Sequence, residues 1–345
     1  MSRYLITGGA GFLGINLCRH LLERGHAVRS IDIAPFNYPE RSRVEVIDGD
    51  VRDPAAVARA VEGADTIVHC AAALPLAAPG EIMSTAVSGT QTLLKAAATG
   101  HLGRFVFISS TAVYGIPDHH PVQEEDRLDG VGPYGRSKIL AEALCLQARA
   151  SGLPTTILRP KSFVGPERLG VFELLYSWAF EGRSFPVLGR GDNRYQLLDV
   201  SDLCNAIELC ATCEPALAND IFNVGAARFG TMREIVQTVL DRAGHGRQAV
   251  TLPAAPAVLL LRIFETLRLS PLYGWIYRTA TCESFVSIDR ITQRLGFRPR
   301  YSNGDALIRN YDWYVDHRPE FESQHGITHR VPWRKGVLGL AKHVF

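Results

Sequence analysis

Tyr134 and Lys138 stand four residues apart in Tyr134-Gly-Arg-Ser-Lys138, and Ile139, Leu140, Ala143 and Leu144 continue the segment at helical spacing. Residues four apart share one face of a helix. An ammonium beside a phenol favours the phenolate and lowers its pKa. A phenol that ionises easily can remove the proton of a substrate hydroxyl. About two dozen residues upstream, the apolar run Phe105–Ile108 ends in Ser109-Ser110-Thr111. Ser110, at that strand end, can orient the substrate oxygen. Tyr and Lys also occur four apart on helices with no chemical duty, so the elements around them decide the reading.

Those elements begin at the N-terminus. Tyr4, Leu5 and Ile6 form a short apolar run, Gly8, Gly11 and Gly14 follow at three-residue spacing, and Leu13, Leu17, Leu21 and Leu22 recur as on a helix. In such a strand-to-helix turn Gly8 permits the tight bend, Gly11 lets the backbone approach a pyrophosphate and Gly14 lets the helix pack on the strand. The helix N-terminus offers N–H groups and a partial positive charge to the phosphates. The next apolar run, Ala27-Val-Arg-Ser-Ile-Asp32, ends in a carboxylate. Asp32 can accept hydrogen bonds from the adenosine ribose hydroxyls and would repel a 2′-phosphate, which favours NAD over NADP.

Up to about residue 160 apolar runs alternate with helical segments: Tyr4–Ile6, Ala27–Ile31, Val44–Ile47, Thr66–His69, Phe105–Ile108 and Thr155–Leu158 are the strands. This alternation predicts an α/β, Rossmann-type, doubly wound parallel sheet covered on both faces, with ligands at the carboxyl ends of the strands. After the third run, Gly49-Asp50-Val51 is placed to hold the adenine edge; after the fourth, His69-Cys-Ala-Ala-Ala73 lets a cofactor lie against backbone. The organisation expected is 1–160 as the NAD-binding domain, 161–330 as a smaller substrate lobe with returns to the sheet (Ile221–Val224 reads as one more strand), and 331–345 as a basic-apolar tail.

The chain of 345 residues is 46% hydrophobic and 21% charged with net charge +2, an ordinary globular composition with no basic block that would point to nucleic acid. Seven cysteines are scattered singly. The CxxC spacing of Cys210 and Cys213 lies in an apolar helical context with no second pair, so these read as thiols rather than metal ligands, and no metal is expected. That usage fits a cytosolic compartment, and a strand at the very start leaves no room for a signal peptide.

Together, Thr7-Gly-Gly-Ala-Gly-Phe-Leu-Gly14, Gly49-Asp-Val-Arg-Asp53, His69-Cys-Ala-Ala72, Ser109-Ser-Thr-Ala-Val-Tyr-Gly115, Tyr134-Gly-Arg-Ser-Lys138, Arg159-Pro160 with Gly165-Pro166, and Leu295-Gly-Phe-Arg-Pro299 resemble the extended branch of the short-chain dehydrogenase/reductase family. That group holds nucleotide-sugar epimerases and dehydratases and the 3β-hydroxysteroid dehydrogenases. The resemblance implies Tyr134 as acid/base, Lys138 as its partner and Ser110 as the substrate-orienting hydroxyl. It implies NAD on Gly8, Gly11, Phe12, Leu13, Asp32, Asp50, Val51, Ala71, Ala72, Ser109, Tyr134, Lys138 and Pro160. Thr111, Ser162, Arg194 and Tyr195 fall at substrate positions. A homodimer is implied as well.

Sugar 4,6-dehydratases carry an Asp-Glu pair just after the Ser/Thr, where this chain has Thr111 and Ala112, so dehydration lacks its acids. Sugar enzymes usually have Asn where Ser162 stands and Arg where Tyr195 stands, although Arg194 is adjacent. Lys161, Arg190 and Arg194 are either cations for a phosphate or solvated surface charges. The expected substrate is a nucleotide sugar, with an apolar alcohol as the alternative. The leucine-rich segment Ala254–Leu267 reads first as a core helix of the small lobe, then as the lining of an apolar pocket or a helix on a membrane surface. The tail, with Trp333, Arg334, Lys335 and Lys342, offers peripheral membrane contact, a partner contact or simple packing on its own protein.

Overall fold

The computed structural model describes residues 2–100, 102–267, 277 and 279–321. They divide into two compact units: 2–161 with Val200–Gly225 and Val286–Arg298, and Ser162–Asp199 with 226–285 and 299–321, in each case the described residues of those ranges.

The first unit holds β1 (Arg3–Thr7), β2 (Ala27–Asp32), β3 (Val44–Asp48), β4 (Thr66–His69), β5 (Arg104–Ile108), β6 (Thr155–Pro160) and a seventh strand, Ile221–Val224. They form one sheet in the order Ile221–Val224, β6, β5, β4, β1, β2, β3, and every pairing is parallel. A parallel sheet is covered on both faces, so its strands are apolar throughout; β5, Arg-Phe-Val-Phe-Ile, is buried at every residue. One side is packed by the helices Pro54–Val61, Gly89–Ala98 and Gly132–Ala150, which share an apolar cluster with Leu5, Ile67, Phe105 and Ile157. Helix α1 (Phe12–Glu23) buries Leu17, Leu21 and Leu22, the leucines of the periodic pattern, along with Leu13. The strand order turns back at β1, with β2 on one side and β4 on the other. Connections that leave in opposite directions there open a crevice at the carboxyl ends of β1 and β4.

The second unit is built on an aromatic core. Tyr176, Tyr311, Tyr314 and Phe321 pack with Val239, Leu240 and Leu307 from the helices Phe172–Phe180, Met232–Ala243 and Asn303–Phe321. The helix Met232–Ala243 starts at a full capping box, with Thr231 and Glu234 each accepting a backbone N–H of the other. Two short parallel pairs complete the unit, Phe185–Leu188 with Ala249–Leu252 and Phe163–Val164 with Leu198–Asp199.

The leucine-rich helix departs from its expected place. Ala254–Thr266 is helical, but none of its residues is buried, and it supplies no residue to the aromatic core. The other three helices already close that core, and leucine content by itself names no partner. The 331–345 tail lies outside the described residues. Among the described residues no helix is long and apolar enough to cross a membrane.

Candidate active site

The turn after β1 is held by the glycines' missing side chains. Gly8 has φ +71°, and a β-carbon there would lie 2.9 Å from the Ala71 backbone. The turn and the segment after β4 therefore touch backbone to backbone. A β-carbon on Gly14 would fall 2.2 Å from the Gly8 carbonyl oxygen, which only glycine allows. No side chain caps the α1 N-terminus at Gly11, so its amide end is open to an anion. Asp32 braces this turn: one carboxylate oxygen accepts the Ala10 N–H and the other the Ala34 N–H, each at 2.9 Å. A carboxylate oxygen accepts more than one hydrogen bond, so both retain capacity for ribose hydroxyls. This cradle, a crowded glycine turn with an uncapped helix end and an acid beyond it, fits a dinucleotide.

Around it, Thr7, His69 and Thr90 form a chain the sequence did not announce. Thr90 donates to the Ala86 carbonyl, so it accepts from His69 Nε2 at 3.0 Å. His69 Nδ1 then accepts from the Thr7 hydroxyl at 2.7 Å, and Thr7 Oγ1 accepts the Ala71 N–H. Burial first, and the Lys138 charge second, push the imidazole down to about 3, so His69 is neutral. Asp50 has both oxygens on the Arg52 guanidinium, which holds its carboxyl below the usual range. Arg52 continues to Ser84 at 2.9 Å. Val51 is buried against Gly89, where a β-carbon would lie 2.7 Å from its methyl.

Ser110, Thr111, Tyr134 and Lys138 all lie in the first unit, on a strand end, the turn after it and the helix packed on that turn. Ser110 is extended, and its Oγ accepts the Ala112 N–H at the head of the single turn Thr111–Tyr114, which leaves its O–H able to donate. A β-carbon on Gly135 would lie 2.8 Å from the Ala112 carbonyl, so this glycine lets the Tyr134 helix, Gly132–Ala150, seat directly on that turn. Lys138 is buried; its Nζ donates to the Ile108 carbonyl at 2.8 Å and stands 6.0 Å from the centre of the Tyr134 ring. Burial lowers its amine to about 8, with Cys70 and Glu142 acting in the opposite sense. Tyr134 is half-buried.

One turn beyond Lys138, Glu142 was missed by the sequence reading. Its carboxylate accepts from Arg159 Nη2 at 2.6 Å, with both side chains 2% exposed. It also accepts the Ser109 hydroxyl at 2.5 Å. Arg159 goes on to the Tyr114 hydroxyl at 2.8 Å and the Glu124 carbonyl at 2.9 Å, and Tyr114 donates to Asn223. The Ser109 side chain therefore turns into the core, where its hydroxyl donates to a buried carboxylate, and only its backbone is left to meet a cofactor. Ile108 and Ser109 are thus tied to one helix by two side chains four residues apart, and Ser110 follows directly. The signal in the sequence was the spacing, since Tyr134, Lys138 and Glu142 are each four apart.

Pro160 ends β6 and is buried, and Lys161, just after it, is buried with its amine pushed down to about 7 by desolvation. In the second unit Ser162 and Tyr195 come together: the Tyr195 side chain bonds Ser162, and burial raises its phenol. Arg194 is exposed, pairs with Glu283 at 3.0 Å and lies 4.1 Å over the Phe285 ring. Arg190 pairs with Asp192 at the surface.

Residues 4–225 match the NAD dependent epimerase/dehydratase family. A dTDP-glucose 4,6-dehydratase of Streptomyces niveus is 29% identical over 93% of this chain and 95% of its own. A 3 beta-hydroxysteroid dehydrogenase/Delta 5-->4-isomerase of Mycobacterium tuberculosis is 28% identical over 91% of each. Among solved structures, the UDP-glucose 4-epimerase of Thermotoga maritima superposes with TM-score 0.76 at 22% identity, covering 92% of this chain and 99% of that one. The chain belongs to the NAD dependent epimerase/dehydratase family, an enzyme of the extended short-chain dehydrogenase/reductase type whose cofactor is NAD.

Proposed function

We propose that the protein is a nucleotide-sugar 4-epimerase. What supports the reading is that Ser110, Tyr134 and Lys138 share the unit that carries the dinucleotide cradle, with the Tyr134 helix seated on the turn that Ser110 heads. NAD, when bound, would supply the acceptor for the hydride of the reacting carbon. Tyr134 takes the proton of the C4 hydroxyl and gives it back. Lys138 favours the ionised phenol and holds the strand end through Ile108. Ser110 donates to the substrate oxygen and keeps it in line with the phenol, and Thr111 extends that wall. The cofactor contacts are the backbone of Gly8, Gly11, Phe12 and Leu13, the Asp32 and Asp50 carboxylates, and the segments of Val51, Ala71, Ala72, Ser109 and Pro160. Ser162, Arg194 and Tyr195 are assigned to the substrate, with Arg194 exchanging Glu283 for a phosphate. Thr111 and Ala112 supply no acid for dehydration, which supports epimerisation over the dehydratase activity of the Streptomyces relative.

An epimerase keeps its cofactor, so the purified protein should carry tightly held NAD and turn over a uridine-diphosphate sugar with no net rise in the NADH absorbance band. Stoichiometric NADH would overturn this reading. It would instead support the second one, a dehydrogenase acting on an apolar sterol-like or lipid-like alcohol. That reading is favoured by Ser162 and Tyr195 standing where sugar enzymes have Asn and Arg, and by the Mycobacterium relative. We also propose a homodimer, to be measured by sedimentation velocity.

A further inference from the structure

The connection from β2 to β3, residues 33–43, is fastened to α1 and to the turn before it at three levels. Tyr38 donates its hydroxyl to the Ala10 carbonyl at 2.5 Å, within the glycine turn. Arg19, within α1, donates to Glu40 at 2.8 Å. Arg43 donates to the Leu22 carbonyl near the end of the helix at 3.3 Å. Phe36 is buried, and the Tyr38 ring meets it edge-on with 4.9 Å between centres. Phe36, Arg19 and Arg43 thus hold the connection on the helix without the Tyr38 hydroxyl.

What that hydroxyl holds is the turn. Asp32 accepts the N–H of Ala10, and Tyr38 donates to the C=O of the same residue. The two peptide planes on either side of the Ala10 Cα are therefore both fixed by the end of β2 and the connection after it. The second plane leads into the helix. In a trans peptide the N–H points opposite to the C=O, and the Gly11 N–H accordingly reaches the Gly8 carbonyl at 3.1 Å. The Gly11 carbonyl then accepts the N–H of Ile15 at 3.0 Å, the bond that starts α1. Gly9 and Gly11, which flank Ala10, bring no side chain to brace this backbone; a β-carbon on Gly9 would lie 2.1 Å from Ser30 Oγ. Glycines that let a pyrophosphate approach also leave the chain free to rotate between them. A carbonyl there also carries the sign that a phosphate avoids, and a phenolic O–H on it offsets that charge.

We propose that Tyr38 is a positioning residue for the phosphates of the cofactor. Its hydroxyl fixes the Ala10–Gly11 peptide and, through it, the direction of the amides at the head of α1. The proposal concerns the cofactor alone, so it holds whichever alcohol the enzyme acts on. Tyr38 stands 28 residues from Ala10, in a stretch with no helical or strand period, which is why spacing does not announce it.

The experiment is titration calorimetry of the full chain, freed of nucleotide, with NAD, ADP and adenosine. Tyr38→Phe keeps the ring against Phe36 and removes only the hydroxyl. It should weaken NAD and ADP alike by about tenfold, the effect of one well-placed hydrogen bond. Adenosine, which has no phosphate, should bind within about twofold of its parental affinity. Thermal unfolding of the nucleotide-free variant should stay close to the parent's. Replacing Tyr38 by para-aminophenylalanine, which keeps a donor at the same end of the ring, should restore most of the affinity for NAD. Arg19→Gln, which releases the connection at Glu40 and leaves the turn alone, should change that affinity by less than about twofold. Parental NAD affinity in Tyr38→Phe would overturn the proposal. An equal loss for adenosine would also overturn it, by making Tyr38 a wall of the adenosine site. So would an Arg19→Gln variant that loses as much as Tyr38→Phe, since the whole connection and not the hydroxyl would then be at work. A Tyr38→Phe chain that does not fold without nucleotide would make the hydroxyl a structural one and overturn it as well.

Discussion

The helix Gly132–Ala150 buries Ser137, Lys138 and Glu142 and leaves Leu140 48% and Leu146 40% exposed. The helix Ala254–Thr266, with as many leucines in fewer residues, has no buried residue. In the first helix each buried charged side chain has a partner waiting on another element: Ile108 for Lys138, Arg159 and Ser109 for Glu142; Ser137 bonds back to the Tyr134 carbonyl of its own helix. A buried charge is tolerated only when paired and hydrogen-bonded, so such residues are directional. Apolar burial has no direction. A leucine goes inside only where the fold offers it another apolar surface, and in the second unit the aromatic core is complete without this helix. The lesson is that the polar residues of the first helix specify where it sits, whereas the leucines of the second specify only that they favour leaving water.

The comparison breaks most readily at Glu142. Glu142→Ala leaves Arg159 buried without its carboxylate and should cost about 3–5 kcal/mol in urea unfolding, a loss that Glu142→Gln should reduce. Next comes the chemistry. Tyr134→Phe should lower turnover by about 10²–10⁴ with NAD affinity and thermal unfolding nearly unchanged, as expected when an acid/base is removed. An unchanged rate would end the role given to this phenol.

Lys138 sharpens the contrast through pH. An unfolded lysine titrates near 10.4, and burial holds this one at about 8. Between those values the unfolded chain binds a proton that the folded chain has released, so the contribution of this group to stability rises with pH. The rise is at most about 1.4 kcal/mol per pH unit. Below the folded value both states are protonated and the burial penalty is constant. Unfolding of the parent compared with Lys138→Met at several pH values should show the parent gaining across that window; a flat difference would mean the amine is not depressed. The smallest effect belongs to the exposed leucines: Leu260→Ala should change stability by less than about 0.5 kcal/mol, the usual range for surface sites.

Much of the site was legible because glycine and spacing have local meaning. Gly8 and Gly14 are explained by atoms within a few residues or on the adjoining strand, and a repeat of strand and helix allows few folds. Tyr134 and Lys138 were legible because a helix brings them to one face whatever surrounds it. Glu142 has the same spacing, but its reason for being there lies 33 residues away at Ser109 and 17 away at Arg159. The Thr7–His69 bond likewise spans 62 residues. Which way the Ser109 hydroxyl turns depends on a carboxylate that no local pattern announces.

By itself the amino-acid order determined the parallel sheet, the turn that cradles a dinucleotide, the acid that follows β2 and the phenol–ammonium pair. Each of these follows from backbone freedom, hydrophobic period or helical pitch, which act over a few residues. The tertiary structure alone decided that Glu142 and Arg159 lock the strand end beneath Ser110, that His69 is neutral, and that the leucine-rich helix faces outward. Those outcomes depend on which distant groups meet and how much water is left between them, and only the assembled chain sets both.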